Sequence, residues 1–161
     1  MTIRVGDRMP EGKFMVMGEG GPESLTSDQL FSGKKVVLFS VPGAFTPTCS
    51  AKHLPGFIEN SDALKGKGVD TIACLAVNDA FVMSAWGKSA GADGKVVMLA
   101  DGNGEYARAL GLEMDGTKFG MGTRSQRFSV IVNDGVVEQI NIEPPGQFGV
   151  SSAETALQQL A

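Results

Sequence analysis

Cysteine and histidine are scarce in this chain: Cys49, Cys74 and His53 are the only ones. A Cys/His zinc site usually takes four such ligands, so no metal centre is expected, and two thiols make no disulfide scaffold. No Cys-x-x-Cys pair occurs, which argues against a thiol–disulfide oxidoreductase. Positive charge is also in short supply. The 14 Lys and Arg are outnumbered by 18 Asp and Glu, for a formal charge of −4 and a pI near 5.0. A nucleic-acid partner would normally be met by a basic stripe, so none is expected. The longest apolar runs are as short as Val36-Val37-Leu38-Phe39, too short to span a bilayer, so no membrane is expected either. The first seven residues, Met1 to Asp7, carry neither the apolar core of a signal peptide nor an Arg/Ser-rich transit pattern, and a cytoplasmic location with reduced thiols is the expectation.

What is present is an ordinary soluble composition. Hydrophobic residues are 42 % of the 161, enough for a core in one domain over residues 1–161. Glycine stands at 22 without a repeating period, which implies many turns and close backbone approaches.

The apolar patterning predicts an alternating chain. Residues 13–17 read as a short strand, and Ser27 as the cap of a helical turn through Leu30 and Phe31. Gly18 to Pro22 reads as a surface turn. Residues 35–41 are apolar on both faces and β-branched, the mark of a central strand buried on both sides. Helical character runs from Thr48 or Cys49 to about Leu64, with Pro55 expected to kink it. A second buried strand covers 69–77. Asn78 or Asp79 caps a helix through Trp86. A third strand covers 95–99, and a short helix 105–110. Residues 127–132 and 136–142 flank Asn133-Asp134-Gly135, a hairpin signal, with Phe128, Val130 and Val132 on one face and Arg127, Ser129 and Ile131 on the other. A last helix opens near Ser152. The order predicts an α/β fold: a mixed central sheet, parallel in its first part, with helices on both faces and an antiparallel edge.

The stretch Val41-Pro42-Gly43-Ala44-Phe45-Thr46-Pro47-Thr48-Cys49 carries the chemistry. It leaves the C-terminal end of a buried strand, where ligand sites of open α/β sheets collect. It puts Cys49 in a first helical turn, where free amides and the dipole favour an anion, and the thiolate is the reactive form of a cysteine. A buried, inert helix-start cysteine is the alternative from position alone. Thr46 is one turn ahead, able to set a hydroxyl against the sulfur or to act as a cap. Pro42 either shields the site or ends a strand. His53 shares a helix face with Cys49, but no third residue that would complete a hydrolase-type Cys–His pair is evident, and packing near the site or at a subunit contact is expected. Trp86 and the eight methionines are expected in core packing.

Pro42-x-x-x-Thr46-x-x-Cys49 resembles the active-site signature of the peroxiredoxins. The extension Cys49-Ser50-x-x-His53-Leu54-Pro55-Gly56-Phe57 resembles the type II branch, the peroxiredoxin-5 subfamily. Ala76 to Met83 and Arg124 to Ser129 match as well, in order and spacing along nearly the whole chain. The resemblance implies a thioredoxin-like fold and a thiol peroxidase. On it, Cys49 is the cysteine that attacks the peroxide, Thr46 its hydroxyl partner, Pro42 the shield and Arg127 the site's arginine. Arg124 is a weaker candidate. Gly43, Phe45, Thr48 and Cys49 would contact the hydroperoxide. Some type II relatives carry a resolving cysteine before the last helix. Here that segment reads Phe148-Gly149-Val150-Ser151-Ser152, and Cys74 sits in an apolar run, so a one-cysteine enzyme is expected. Its sulfenic acid would be recycled by an external thiol, glutathione with glutaredoxin first and thioredoxin second. A homodimer joined near the active-site loops is implied too. A redox sensor or a holdase sharing the same site is the competing class.

Overall fold

The computed structural model describes residues 2–160. Strand β1 (Lys13–Gly18) turns back into β2 (Gly21–Thr26), and α1 (Ser27–Phe31) follows. Next come β3 (Lys35–Ser40), α2 (Leu54–Glu59), α3 (Ser61–Gly66), β4 (Thr71–Ala76) and α4 (Ala80–Ala90). The remainder is β5 (Val97–Ala100), α5 (Glu105–Leu110), β6 (Glu113–Asp115), β7 (Thr123–Ser125), β8 (Phe128–Asn133), β9 (Val136–Ile142) and α6 (Ala153–Gln159). Seven strands form one sheet in the order β2-β1-β5-β4-β3-β8-β9, and β6 pairs with β7 apart from it.

The mixed sheet is the expected one, with β3, β4 and β5 parallel and the β8–β9 hairpin antiparallel on β3. Alternation along β3 sorts the core into two layers. Val37 and Phe39 join Leu54, Phe57, Leu64, Cys74, Met83 and Trp86 on one face. Val36 and Leu38 join Phe31, Leu75, Leu99, Tyr106, Phe128 and Val130 on the other. Removing one such side chain from water contributes roughly 1.5–3 kcal/mol, so a strand buried on both faces is held from both sides. Among the described residues no helix is long and apolar enough to cross a membrane.

Several expectations are corrected. β1 is antiparallel to β5, so the parallel part begins only at β3. β2 was not anticipated, because Gly21-Pro22-Glu23-Ser24 is poor strand material; as an edge strand it tolerates a proline whose amide is not needed. β6 and β7, three residues each, are too short to show a period. The cap of α1 is Thr26, not Ser27, in a reciprocal capping box with Gln29. The single helix to Leu64 is two: Asn60 ends α2, its side chain and its own amide both donating to the Gly56 carbonyl.

The segment before α2 holds the main irregularity. Pro47 and Thr48 begin a helix, and Cys49–His53 continue it as a π turn in which the Leu54 amide donates to the Cys49 carbonyl. Pro55 follows in the first turn of α2. A proline lacks the amide hydrogen that would continue an α ladder and its ring crowds the turn before it, and the widened turn takes up that disturbance in the residues just ahead of Pro55.

Candidate active site

β3 delivers the chain to Val41, whose amide still donates to Leu75 in β4. The loop then folds tightly. Phe45 adopts a left-handed φ of 64°, uncommon for a residue with a side chain. The Ala44 amide donates to Asn78 Oδ1 at 2.9 Å, tying this loop to the one that opens α4. Gly43 is confined: a Cβ there would come within 3.0 Å of Arg124 Nη1 and 3.2 Å of Thr46 Cγ2.

Thr46 takes the backbone role of a helix cap, since its carbonyl accepts from the Ser50 amide at 2.9 Å. Its hydroxyl does something else. Oγ1 lies 2.8 Å from Cys49 Sγ and 2.7 Å from the Gly43 carbonyl. A hydroxyl has one proton to give. With Cys49 as a thiol, the S–H donates to Oγ1 and Oγ1 donates to Gly43; with a thiolate, the hydroxyl can turn its proton to the sulfur. Pro47 has no amide and occupies the first helical position. The amides of Thr48 and Cys49 therefore stand in the first turn, where no intrahelical carbonyl can accept from them.

Arg127 comes from the far end of the sequence. Phe128 pairs with Ser40, so Arg127 arrives level with the start of the Pro42 loop. Its Nη2 donates to Cys49 Sγ at 3.0 Å, 78 residues away in the chain. Its Nη1 donates to His53 Nδ1 at 2.8 Å. His53 Nε2 lies 2.9 Å from the Ser151 carbonyl. A carbonyl only accepts, so Nε2 carries the hydrogen and Nδ1 offers its lone pair to the arginine. Burial pushes the His53 imidazolium down to a pKa of about 3, and outweighs the upward pull of the Ser151 hydrogen bond; the Arg127 charge lowers it further and the Glu143 charge raises it. Glu143 in turn holds the Ser151 segment: Oε2 accepts from the Gly149 and Ser151 amides and, at 2.6 Å, from the Ser151 hydroxyl. Burial opposes the charge on Glu143, but those hydrogen bonds outweigh it and hold the carboxyl below its ordinary range.

Of the residues anticipated from sequence, Thr46, Cys49 and Arg127 meet at the sulfur, and Pro42 and Thr48 border a cavity of about 320 Å³ beside them that Arg127 also lines. Met114, Gln126, Glu143 and Pro144 to Gln147 complete its wall with Glu113. Cys49 itself is fully buried. Phe45 points outward, 54 % exposed, with its ring tilted against Trp86 at 6.4 Å between centroids. Arg124 does not reach the sulfur; it donates to Met121 and Pro42 carbonyls and braces the loop. Trp86 does more than fill the core, because its Nε1 donates to Ser50 Oγ at 3.0 Å. Cys74 is fully buried in β4, and burial pushes its thiol well up. Sequence reasoning set His53 near the site but missed its link to Arg127, and it missed Glu143 and Ser151 altogether. Only the four-residue spacing from Cys49 to His53 was visible; Ser151, 98 residues from His53, leaves no local signal.

The redoxin family model matches residues 4–157 of the chain. The chloroplastic peroxiredoxin-2E-2 of Oryza sativa subsp. japonica is 51 % identical over 164 residues, covering 99 % of this chain and 73 % of the relative. Peroxiredoxin-2B of Arabidopsis thaliana is 50 % identical over 159 residues, covering 98 % of each. The crystal structure of reduced Prx3 in complex with H2O2 from Vibrio vulnificus superposes with a TM-score of 0.96 at 51 % identity, covering 99 % of this chain and all of that one.

Proposed function

The chain belongs to the redoxin family and is a peroxiredoxin of the type II branch, a thiol peroxidase; from that premise we propose that Cys49 is its reacting sulfur. The observation that supports this reading is the pair of donors on one buried sulfur, Thr46 Oγ1 at 2.8 Å and Arg127 Nη2 at 3.0 Å. A hydroperoxide enters through the cavity between Pro42, Thr48 and Arg127. The Cys49 thiolate attacks the distal oxygen in line with the O–O bond. A sulfur–oxygen bond forms, the O–O bond breaks, and its electron pair leaves on the proximal oxygen, which takes a proton and departs as water or an alcohol. Negative charge moves from sulfur toward that oxygen. Arg127, the Thr46 hydroxyl and the free amides of Thr48 and Cys49 are already aimed at the region where it grows. A preorganised donor of this kind is worth on the order of 10²–10³ in rate, which matters because a stabilised thiolate is a poorer nucleophile.

Cys49 sulfenic acid is left behind, and we propose that an external thiol resolves it. Attack by that thiol expels water and leaves a mixed disulfide; a second thiol returns Cys49 to its reduced state. Glutathione with glutaredoxin is the first choice and thioredoxin the second. In support, the 148–152 segment carries no thiol and Cys74 is locked in the core. A homodimer joined near the active-site loops fits the exposed rings of Phe45 and Phe81.

The test is a reductant panel with hydrogen peroxide and an alkyl hydroperoxide. Wild type should form a sulfenic acid on Cys49 by mass and then turn over repeatedly with one of the two reductant systems, while Cys49→Ser should do neither. Full turnover by Cys49→Ser would remove the assignment. One oxidation without turnover in any reductant would favour a sensor.

A further inference from the structure

Arg127 has two arms and two partners, and neither partner is a carboxylate. Among the described residues the one ion pair within 4 Å is Lys35 with Glu138, far from the site. A guanidinium is frequently held by a carboxylate, in a bidentate pair that also neutralises it. Here the steadying group is an imidazole that the Ser151 carbonyl holds in its Nε2–H form, at 2.9 Å, and whose Nδ1 accepts from Nη1 at 2.8 Å. The Phe148 ring closes over both, 4.9 Å from His53 between centroids and 5.8 Å from Arg127 Cζ. A neutral acceptor fixes the direction of Nη2 without dividing the positive charge.

We propose that His53 is a positioning residue for the peroxidase reaction, a neutral acceptor that aims Arg127 at Cys49 and leaves its full charge for the sulfur and the departing oxygen. The inference rests on the reading of Cys49 above. It extends the site to Glu143, which orders the Gly149–Ser151 backbone and so sets the carbonyl that selects the His53 tautomer.

His53 is the only histidine, so its ring nitrogens can be read by nitrogen NMR without assignment. The reduced wild-type protein at neutral pH should show one imidazole with a protonated Nε2 and a bare Nδ1. An Nδ1–H form or an imidazolium would overturn the proposal, whatever the kinetics. The second arm is the rate of Cys49 oxidation in a single turnover. Asn sets a carbonyl oxygen where Nδ1 stands, while Gln sets an amide nitrogen where Nε2 stands and keeps only the Ser151 bond. His53→Asn should stay within about threefold of wild type, and His53→Gln and His53→Leu should lose roughly tenfold or more, as for a lost transition-state donor. A role in packing alone would favour Gln, which is nearer to His in size, so equal rates for these two, or a faster Gln variant, would sink the proposal. Wild type that fails to oxidise Cys49 would instead remove the reading of the site, leaving the tautomer measurement standing on its own.

Discussion

At the residue scale, the site is built from groups that water has left. His53 is the clearest case, because burial brings its pKa from 6.5 to about 3. Its folded value lies below its unfolded one, so the unfolded chain takes up a proton first as pH falls. The stability that comes from a neutral imidazole is complete above pH 6.5 and is lost progressively toward pH 3, by roughly 4–5 kcal/mol in all, at ~1.4 kcal/mol per pH unit. Glu143 works in the same direction but only below about pH 4.5, since its folded carboxyl is held down by Ser151 and Gly149. Denaturant titrations from pH 7 to 4.5 should show wild type losing stability and His53→Asn nearly flat. An equal slope in both would mean that the acid limb has another source. Removing the charged donor is expected to act on rate first: Arg127→Gln should slow Cys49 oxidation by about 10²–10³ in stopped-flow measurements, and because the Arg127 charge helps hold His53 neutral it should also shallow the acid limb.

At the element scale, the loop after β3 and the loop before α4 hold each other. Asn78 Oδ1 accepts from the Ala44 amide at 2.9 Å, and the neighbouring Asp79 caps α4 by accepting from the Val82 amide at 2.8 Å. The two side chains are adjacent but serve different elements. Asn78→Ala leaves a part-buried amide without a partner and should cost about 1–3 kcal/mol. It should also slow the first oxidation, because Ala44 leads into Phe45 and Thr46. Asp79→Ala should cost about 1 kcal/mol as a lost cap and leave the oxidation rate unchanged. Thermal melts paired with single-turnover rates separate them; a slowed Asp79→Ala would mean that α4 itself positions the site. The same scale explains what patterning recovered. β3, β4, α4, α5 and the hairpin were legible because burial on both faces, an Asx cap, the Asp101-Gly102-Asn103-Gly104 turn or the Asn133-Asp134-Gly135 turn is written in adjacent residues. β2 and the break at Asn60 were not, since an edge pairing and a side chain turned back on its own helix depend on neighbours that periodicity does not name.

At the scale of the whole molecule, three stretches of chain converge at the C-terminal end of β3. The 42–53 segment is continuous with it, Arg127 is brought by the antiparallel β3–β8 pairing, and the Glu143–Ser151 return follows β9. Cys74 lies inside the same core layer as Cys49 but on β4, fully buried. Cys74 is fixed in a central strand, and burial pushes its thiol well up, which leaves little thiolate to attack a sulfenic acid. Cys74→Ser should therefore keep full turnover per folded molecule with each reductant. It should lose about 1–3 kcal/mol of stability for a hydroxyl placed in an apolar layer. Normal first oxidation with lost turnover in Cys74→Ser would show that this thiol does resolve.

The sequence alone determined the platform and the spacing of its two candidate groups. Thr46 and Cys49 lie three residues apart at a strand-to-helix junction, where a helical turn brings them to the same side. Their resemblance to the peroxiredoxin signature, together with Arg127, was legible in the same way. Tertiary structure alone decided how that arginine is held. The Arg127–His53 contact closes over 74 residues and the His53–Ser151 contact over 98, and both exist only because strand register brings distant segments to one edge. Local spacing constrains what neighbours along the chain can do; the tautomer of a buried imidazole is set by whichever carbonyl the folded sheet carries to it.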